Sequence, residues 1–413
     1  MATPPPAQPL VLDPTGSRRR SEHTLLRQRG AATEVDILGV RAWAVSDPDV
    51  LKDLLTSDQV SKDPRAHWPA FSEVIQTWPL ALWVAVENMF TAFGDDHRRL
   101  RRMISPALSA RRTDALAPFV DTTVTGLLDR LAAHPGDSPV DLREHLAYPL
   151  PIAVISHLMG VPADQHDDFR RIVDGVFSTT LTTAQATANT AALYAALDQL
   201  ITTRRTHPGD DLTSALIAVR DDEGDGRTLS PTELRDTLLL MISAGYQTTV
   251  DLIDQAITLL LTHPEQLRHV LDGRATWNHA VEEVLRLEAP VTHLPLRYAR
   301  SDIRLTDGTT IPQGAAVLAS YGAANRHPAW HTDADTFDVT RTSTAHLAFG
   351  HGVHFCLGAP LARLEVTRLL AAFFTRFPHT ALAVPAHDLQ PVNSLISNGH
   401  RELPVHLTPP AQH

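Results

Sequence analysis

The feature that most constrains the fold is a stretch in the middle of the chain that is predicted to form one long helix. Its start is marked by a capping-box pattern at residues 230–233, with Pro231 at the first helical position. No stop signal follows until Pro264. Such a helix has about 33 residues and reaches about 50 Å. The apolar run at residues 238–242 indicates that the helix is buried. The other elements are therefore expected to pack around it.

The remaining pattern predicts a mainly α fold with a smaller β portion. Helical periodicity dominates before the long helix, and short β segments separated by Gly and Pro follow Val291. We expect residues 1–30 to be a loosely ordered leader and residues 31–413 to form a single domain. The β segments are expected near residues 34–60, with a first strand at 34–40, and near residues 291–410. Further helices are predicted at residues 113–132, 142–159, 164–181, 184–203 and 359–376.

Composition narrows the class of function. The 413 residues include one cysteine, which excludes an intramolecular disulfide framework and any Cys-x-x-Cys metal or redox pair. A net charge of −11 argues against nucleic acid as the main partner. The N-terminus lacks a signal-peptide pattern, and no apolar run approaches the roughly 18 residues that a membrane span needs. We therefore expect a cytoplasmic protein with no membrane partner.

The single cysteine, Cys356, lies in a glycine-rich segment directly before a predicted helix. Gly350, Gly352 and Gly358 allow tight turns and close approach to a flat ligand, and Phe349 adds an aromatic side chain. A sulfur before a helix N-terminus faces unpaired N–H groups, which favours a thiolate. The alternative is a buried structural cysteine, because free cysteines are among the most buried residues. The surrounding glycines favour the ligand-binding interpretation.

This segment resembles the Phe-Gly-x-Gly-x-His-x-Cys-x-Gly signature of the cytochrome P-450 superfamily, in particular its soluble bacterial, Streptomyces-type members. The resemblance implies that Cys356 is the axial thiolate ligand of haem b. It implies hydroxylation of a hydrophobic molecule with O2 and two electrons. No flavin or iron–sulfur segment is present in the sequence, so the electrons are expected from a separate ferredoxin and ferredoxin reductase. We also expect a monomer.

Further motifs of the family follow the expected order. The resemblance assigns His97 and Arg101, four residues apart, to the haem propionates, together with Arg297. His346 and His354 flank the cysteine segment and complete this set, and Phe349, Gly350 and Gly358 are its other haem contacts. Glu-x-x-Arg is common on solvated helix faces, but here its position matches a structural motif of the family. That motif consists of Glu283, Arg286 and a later arginine, Arg341.

Residues 244–249 resemble the oxygen-binding motif of the family. The Thr248 hydroxyl can bond to the carbonyl of Ala244 and open a local kink in the helix. The resemblance assigns Thr248 to hydrogen-bonding dioxygen, with Gln247, Ala244 and Gly245 as the other catalytic candidates. The alternative for Gly245 is a small-residue contact between helices. Gln247 stands where the family usually has an acid, and an amide releases no proton by ionising, so we expect it only to position water.

The resemblance also places a substrate pocket, and charge complementarity suggests a docking surface for an acidic ferredoxin near the cysteine. The pocket residues are apolar, which suits a steroid, a macrolide or another polyketide, although each could equally be a core residue. They are Met89, Phe90, Phe177, Leu181, Met241, Ala244, Val291, Leu294, Leu395 and Ile396. The expected ferredoxin surface consists of Arg98, Arg102, Arg111 and Arg112. The alternatives are a peroxide-driven peroxygenase, which the presence of Thr248 disfavours, and a non-catalytic haem-binding sensor or gas carrier.

Overall fold

The computed structural model describes residues 8–134, 138–222, 224 and 226–407. Its helices are α1 (Arg19–Arg29), α2 (Pro48–Thr56), α3 (Pro64–His67), α4 (Phe71–Thr77), α5 (Leu82–Ala85), α6 (Gly94–Ile104), α7 (Ala110–Ala115), α8 (Ala117–Ala132), α9 (Pro149–Met159), α10 (His166–Phe177), α11 (Thr183–Thr206), α12 (Leu212–Ala218), α13 (Pro231–Thr262), α14 (Pro264–Leu271), α15 (Trp277–Leu287), α16 (Tyr321–Ala324) and α17 (Ala359–Arg376). Its strands are β1 (Leu10–Val11), β2 (Ala32–Ile37), β3 (Val40–Val45), β4 (Val60–Ser61), β5 (Val140–Asp141), β6 (Leu294–Ala299), β7 (Ile303–Arg304), β8 (Thr310–Ile311), β9 (Ala316–Ala319), β10 (Ala381–Leu382) and β11 (Pro404–His406). The predicted mainly α fold with a smaller β portion is confirmed.

The long helix is α13, which has 32 residues. Ser230 caps it by accepting a hydrogen bond from the Glu233 backbone N–H, and the Glu233 side chain accepts one from Ser230 N–H. This reciprocal pair satisfies two of the free N–H groups at the helix start. α13 packs against α9, α10, α11, α15 and α17 and is buried along most of its length. It is therefore the central element that the capping pattern predicted.

The main sheet lies beside this helical body. Its strand order is β1-β2-β3-β9-β6-β4. β2 and β3 are antiparallel neighbours, β3 pairs in parallel with β9, and β6 runs antiparallel to β9 with an irregularity between Leu294 and Arg297. β6 thereby connects the sheet to the functional cavity described below. The smaller sheets are β10-β11-β5 and β7-β8. Within the described ranges, no helix is both long and apolar enough to cross a membrane.

The expected loosely ordered leader is wrong for the part of residues 1–30 that the structure describes, and residues 1–7 lie outside it. β1 pairs with β2, and Leu26 on α1 is fully buried. The polar residues of α1 concealed this packing, because some of them make buried contacts. Arg19, for example, donates to the carbonyl oxygen of Ser397 over 2.6 Å. The grouping of residues 31–413 into a single domain stays a prediction.

Local turn chemistry changes other boundaries. The strand expected at residues 34–40 is a hairpin of β2 and β3, which turns at Leu38 and Gly39, both with positive φ. The helix expected at residues 113–132 divides into α7 and α8 at Leu116, because Pro118 occupies the first turn of α8. Residues 143–147 form a π-helical turn ahead of α9, and α10 ends at Phe177. α17 matches its predicted bounds.

Candidate active site

The cysteine segment is a compact loop between the β-rich part and α17. The Cys356 N–H donates to the Phe349 carbonyl over 2.9 Å and closes the loop. Gly350 and Gly352 both have a φ of +72°, which favours glycine. A Cβ atom on Gly352 would also lie 3.0 Å from the Leu55 carbonyl oxygen, so this glycine lets the loop approach α2. The glycines therefore shape the loop, as expected.

Two effects of opposite sign act on the pKa of the Cys356 thiol. Burial raises the pKa of Cys356 above its ordinary value. The backbone N–H groups of Gly358 and Ala359 lower this pKa, as expected for a helix N-terminus, but burial is the larger effect. A metal ion deprotonates a coordinating thiol outright. Metal binding, more than the helix, would therefore hold this sulfur as a thiolate.

Cys356 lines a large cavity that contains about 1780 Å³ of space between its lining atoms, part of it open to solvent. α13, β6, the cysteine loop and the segment before α6 contribute most of its walls. The lining is largely apolar. Predicted site residues in the lining are Met89, Phe90, Arg101, Phe177, Met241, Ala244, Gly245, Thr248, Val291, Leu294, Arg297, Phe349, Gly350, His354, Cys356 and Gly358.

A basic cluster borders this cavity. His97 and Arg101 lie on one face of α6, and the His97 ring is 4.1 Å from the His354 ring, between centroids. Burial lowers the pKa of Arg297 on β6, and the neighbouring Tyr321 opposes this shift. His97, Arg101, Arg297 and His354 have no acidic partner among the described residues. Burial and the neighbouring Arg101 lower the pKa of His97 to about 4. Two buried nitrogens, His97 Nε2 and Arg297 Nε, have no hydrogen-bond partner in the described chain.

These features fit a haem. The unpartnered nitrogens and the uncompensated positive charge suit two propionate carboxylates, which form strong charge-assisted hydrogen bonds. A Cβ on Gly358 would lie 3.8 Å from Cys356 Sγ, so glycine leaves the space beside the sulfur free without being required by backbone strain. One thiol, an apolar cavity and a basic edge are the groups that a haem-thiolate centre needs.

His346 does not belong to this cluster, so its predicted propionate role is corrected. Its Nε2 lies 3.1 Å from Glu282 Oε2, and His346 does not line the cavity. Arg363 also pairs with Glu282, at 2.5 Å. Although burial alone would raise the pKa of Glu282, Arg363 and His346 hold it at about 2. The three side chains form a separate cluster that joins α15, α17 and the cysteine segment.

The Glu-x-x-Arg residues form the structural arrangement that the resemblance implies. Glu283 and Arg286 are fully buried, with Arg286 Nε 2.7 Å from Glu283 Oε2. Arg341 Nε reaches Glu283 Oε1 at 3.1 Å. Arg286 and Arg341 also donate to the carbonyl oxygen of Thr336 at 3.0 Å. A buried pair whose remaining donors are satisfied fixes the approach of this loop to α15.

The groove on α13 has the predicted hydroxyl contact. Thr248 Oγ1 donates to the Ala244 carbonyl over 2.6 Å, and both residues line the cavity. Gly245 also serves helix packing, because a Cβ there would lie 2.9 Å from Ile155 Cδ1 on α9. Gln247 is not a lining residue. It is 4% exposed and points into the protein.

Three of the expected substrate residues do not line the cavity. Leu395 and Ile396 are 2% and 0% exposed and belong to the hydrophobic core, and Leu181 is half-buried outside the lining. Leu395 and Ile396 follow Ser394, whose Oγ donates to the Phe177 carbonyl over 2.7 Å, so they lie near a lining residue without lining the cavity themselves. Core packing, the alternative considered for every pocket residue, is correct for Leu395 and Ile396.

Lys62 is a lining residue that the sequence interpretation missed. It is 2% exposed, and its Nζ donates to the Pro295 and Leu296 carbonyls at 3.2 and 3.1 Å. The Nζ also lies 3.7 Å from the centroid of the Phe90 ring. Lys62 therefore fixes Phe90 against β6. Its only signal was rarity, because the chain has two lysines, Lys52 and Lys62.

Comparison with known proteins supports the same assignment. The family model described as Cytochrome P450 matches residues 276–397. The 2-hydroxy-5-methyl-1-naphthoate 7-hydroxylase of Streptomyces carzinostaticus is 39% identical over 403 residues, which covers 97% of each protein. The chain belongs to the cytochrome P450 family. A second P450 relative, the 6-deoxyerythronolide B hydroxylase of Saccharopolyspora erythraea, is 38% identical over 92% of this chain and 94% of its own length.

The fold comparison agrees. The 1.85 Å structure of the P450 CYP154A1 from Streptomyces coelicolor A3(2) superimposes with a TM-score of 0.93 and 66% identity. It covers 97% of this chain and 100% of that one. The protein is thus a haem-dependent P450 monooxygenase with a haem-thiolate cofactor.

Proposed function

We propose that this P450 hydroxylates a hydrophobic polyketide or steroid, using haem b, O2 and electrons from a ferredoxin and its reductase. One observation carries the proposal. Cys356, the basic groups Arg101, Arg297 and His354, and the Thr248 groove all line one apolar cavity. We further propose that the protein is cytoplasmic and monomeric.

The residues that would hold the haem have distinct tasks. Cys356 would supply the sulfur ligand, and Arg101, Arg297, His97 and His354 would bind the propionates. The glycines of the cysteine loop would leave room for the ring. When bound, the haem supplies the oxygen-activating chemistry. The protein supplies the ligand, the positioning of the substrate and a water-poor environment.

Thr248 is the residue proposed to handle protons in the cavity. Its own hydrogen is directed to the Ala244 carbonyl, so its oxygen accepts hydrogen bonds from water or from a bound reactant. Because Thr248 lies on the cavity wall of α13, a proton held at Oγ1 is available inside the cavity that would hold the haem and the substrate. This arrangement supports a monooxygenase more than a peroxygenase or a sensor.

The substrate class follows from the apolar walls. Phe90, Trp83 and Phe177 form an aromatic chain, with centroid separations of 6.3 Å and 5.2 Å. Flat or bulky apolar molecules bury the most surface against such walls. The two relatives named above act, by their names, on a naphthoate and on 6-deoxyerythronolide B, which supports a polyketide substrate.

The ferrous–carbonyl absorption spectrum tests the central assignment. Wild-type protein should give a red-shifted Soret band typical of thiolate ligation, and Cys356→His should lose it. An imidazole-type band in both proteins, or no bound haem in the wild type, would refute the proposal.

The spectral shift on adding 2-hydroxy-5-methyl-1-naphthoate, 6-deoxyerythronolide B or testosterone then compares the substrate classes. Turnover with peroxide alone that equals ferredoxin-driven turnover would instead establish a peroxygenase.

A further inference from the structure

One wall of the cavity is a compact loop at residues 86–92, which we call the wall loop. Thr91 Oγ1 donates to the Val86 carbonyl over 2.5 Å, and the Ala92 N–H donates to the Asn88 carbonyl over 3.1 Å. These internal bonds hold the loop together as a unit. The residues that it contributes to the cavity lining are Val86, Asn88, Met89 and Phe90. Their place in the wall therefore depends on what attaches the loop to the rest of the fold.

Asp236, in the second turn of α13, attaches the wall loop to the central helix. The Glu87 N–H donates to Asp236 Oδ2 over 2.7 Å, and Asn88 Nδ2 donates to the Asp236 carbonyl over 2.7 Å. In the described chain, the recorded hydrogen bonds between the wall loop and α13 both end on this residue. Asp236 is 2% exposed and does not line the cavity. Its effect on a bound molecule therefore passes through the loop.

The attachment extends to the aromatic side chain of the wall loop. Asn88 Oδ1 accepts a hydrogen bond from the Phe90 N–H over 2.9 Å, so the Asn88 amide links the Phe90 backbone to Asp236. The Phe90 ring has a different anchor, Lys62 Nζ, which lies 3.7 Å from its centroid. Asp236 is thus the anchor that fixes the backbone on which Met89 and Phe90 stand.

The burial of Asp236 favours the attached position of the loop. Burial raises the pKa of Asp236, and the Glu87 N–H and Arg235 oppose this rise. If the loop moved away, a buried carboxyl oxygen would lose its donor, which costs free energy. Arg235 also lies near a second acid, with its Nη1 3.6 Å from Asp198 Oδ2. The Asp198 side chain is 57% exposed, and its recorded contacts do not include the wall loop.

We propose that Asp236 is a positioning residue that determines how well the cavity binds bulky molecules, because it fixes the wall loop, and with it Met89 and Phe90, against α13. A wall that is ordered before binding saves the cost of ordering these side chains around the ligand. A small molecule that touches only the haem gains nothing from this order. The inference rests on the proposed function, because the bulky apolar molecule is the substrate class proposed there.

Two azoles that bind haem iron through a ring nitrogen test the inference on the haem-loaded protein. Imidazole is small, whereas clotrimazole carries three aromatic rings that reach the cavity walls. Asp236→Ala should weaken clotrimazole binding about five- to twentyfold, the cost of ordering one or two side chains, and change imidazole binding less than about twofold. Asp236→Asn keeps an acceptor oxygen and should restore most of the affinity. Asp198→Asn, the matched control, should behave as the wild type. Absorption titrations measure both dissociation constants.

Hydrogen exchange gives a second readout that needs no ligand. Peptides covering residues 86–92 should exchange faster in Asp236→Ala than in the wild type and in Asp198→Asn, because the Glu87 N–H loses its acceptor. Unchanged exchange, or an equal loss of affinity for both azoles, would overturn the inference. If Asp236→Ala does not fold, Asp236→Leu fills the same space, removes the same acceptor and should give the same results.

The outcomes for the two proposals are distinct. A wild type without a thiolate-type band in the ferrous–carbonyl spectrum refutes the proposed function. A normal band together with the same ratio of azole affinities in the wild type and in Asp236→Ala refutes this inference alone.

Discussion

The buried histidines of this protein divide by the charge of their nearest neighbours. Burial lowers the pKa of His97 and His354, and the nearby arginines lower it further, so both rings are neutral near pH 7 until an anion reaches them. His400 differs, because its Nδ1 lies 2.9 Å from Asp254 Oδ1. Burial opposes protonation of His400, but Asp254 raises its pKa above the ordinary value. A single carboxylate thus decides whether a buried imidazole is charged.

The His400–Asp254 contact predicts a pH-dependent stability. Because the folded state raises the pKa of His400, its contribution is fully present below about pH 6.5 and is lost as pH rises through the folded pKa. His400→Gln should lower the free energy of unfolding by about 1.5–3 kcal/mol at pH 5.5, a typical value for a hydrogen bond to a charged group. The difference should shrink toward pH 9. Urea unfolding at several pH values measures it.

His387→Gln is the control for this series. His387 lies 3.7 Å from Asp388, but its side chain is 84% exposed. The exposed pair should contribute less than about 0.5 kcal/mol at any pH. If His400→Gln lowered the free energy of unfolding by the same amount at every pH, the His400 ring would contribute only packing.

The sequence was sufficient to assign roles to residues that stand in fixed motifs. It was not sufficient to predict which side chains contact each other across distant parts of the chain. The spacing to Cys356 and to Thr248 located the cavity walls, because the family fold holds these motifs at set positions. His346 was misassigned because its partner Glu282 comes from a distant part of the chain. Lys62 was missed for the same reason, since Pro295 and Leu296 are more than 200 residues away in sequence.

At the scale of elements, capping and turn residues predicted the helix ends that depend on neighbouring residues in the sequence. The capping box fixed the start of α13, and the glycine-rich loop followed by Pro360 fixed the start of α17. The hairpin turn at Leu38 and the π-helical turn at residues 143–147 had no comparable signal. Their form depends on pairing across the sheet and on the buried contacts of Arg143.

The approach of the cysteine loop to α2 predicts an effect of Gly352→Ala. The substitution combines a positive φ with a Cβ only 3.0 Å from the Leu55 carbonyl oxygen. Gly308→Ala is the matched control, because Gly308 has a φ of +88° and open space around it. Left-handed strain alone should destabilise the control by about 1 kcal/mol.

Gly352→Ala should lower the free energy of unfolding by about 2–4 kcal/mol, because backbone strain and overpacking against Leu55 add together. The variant should also retain less haem, because the cysteine loop must shift. Thermal unfolding and the haem-to-protein absorbance ratio measure the two effects. Equal losses in both variants would show that the contact with Leu55 yields without disturbing the loop.

At the scale of the molecule, the net charge of −11 conceals an exposed basic surface. Arg111 and Arg112 on α7 are exposed and have no ion-pair partner among the described residues. α7 packs against α17, the helix that follows Cys356. The other two expected docking residues are partly engaged, because Arg98 pairs with Asp95 and Arg102 pairs with Asp221. Val353 and Phe355, 61% and 41% exposed, add apolar area on the cysteine loop.

This surface predicts a loss of electron transfer when its charge is reversed. With ferredoxin at a limiting concentration and at low salt, the double variant Arg111→Glu and Arg112→Glu should be reduced about three- to tenfold more slowly than the wild type. The reason is that the positive arginines attract an acidic ferredoxin and speed its encounter with this surface. Arg304→Glu, an exposed change on β7, should have little effect. Stopped-flow formation of the ferrous–carbonyl complex measures the rate without any substrate. Equal rates in all three proteins would place ferredoxin elsewhere.

The burial of Lys62 has a practical consequence for labelling. Because Lys62 is buried next to Phe90, Lys52 is the lysine side chain that amine-reactive dyes can reach on the folded protein. Lys52 lies on α2, which packs against the turn at Gly352–His354. The α-amino group at the start of the chain reacts with the same dyes. Once that group is blocked, one conjugation reaction would place a fluorophore beside the cysteine loop without an engineered attachment site. The arrival of a protein at that face would be visible as a change in the dye's emission.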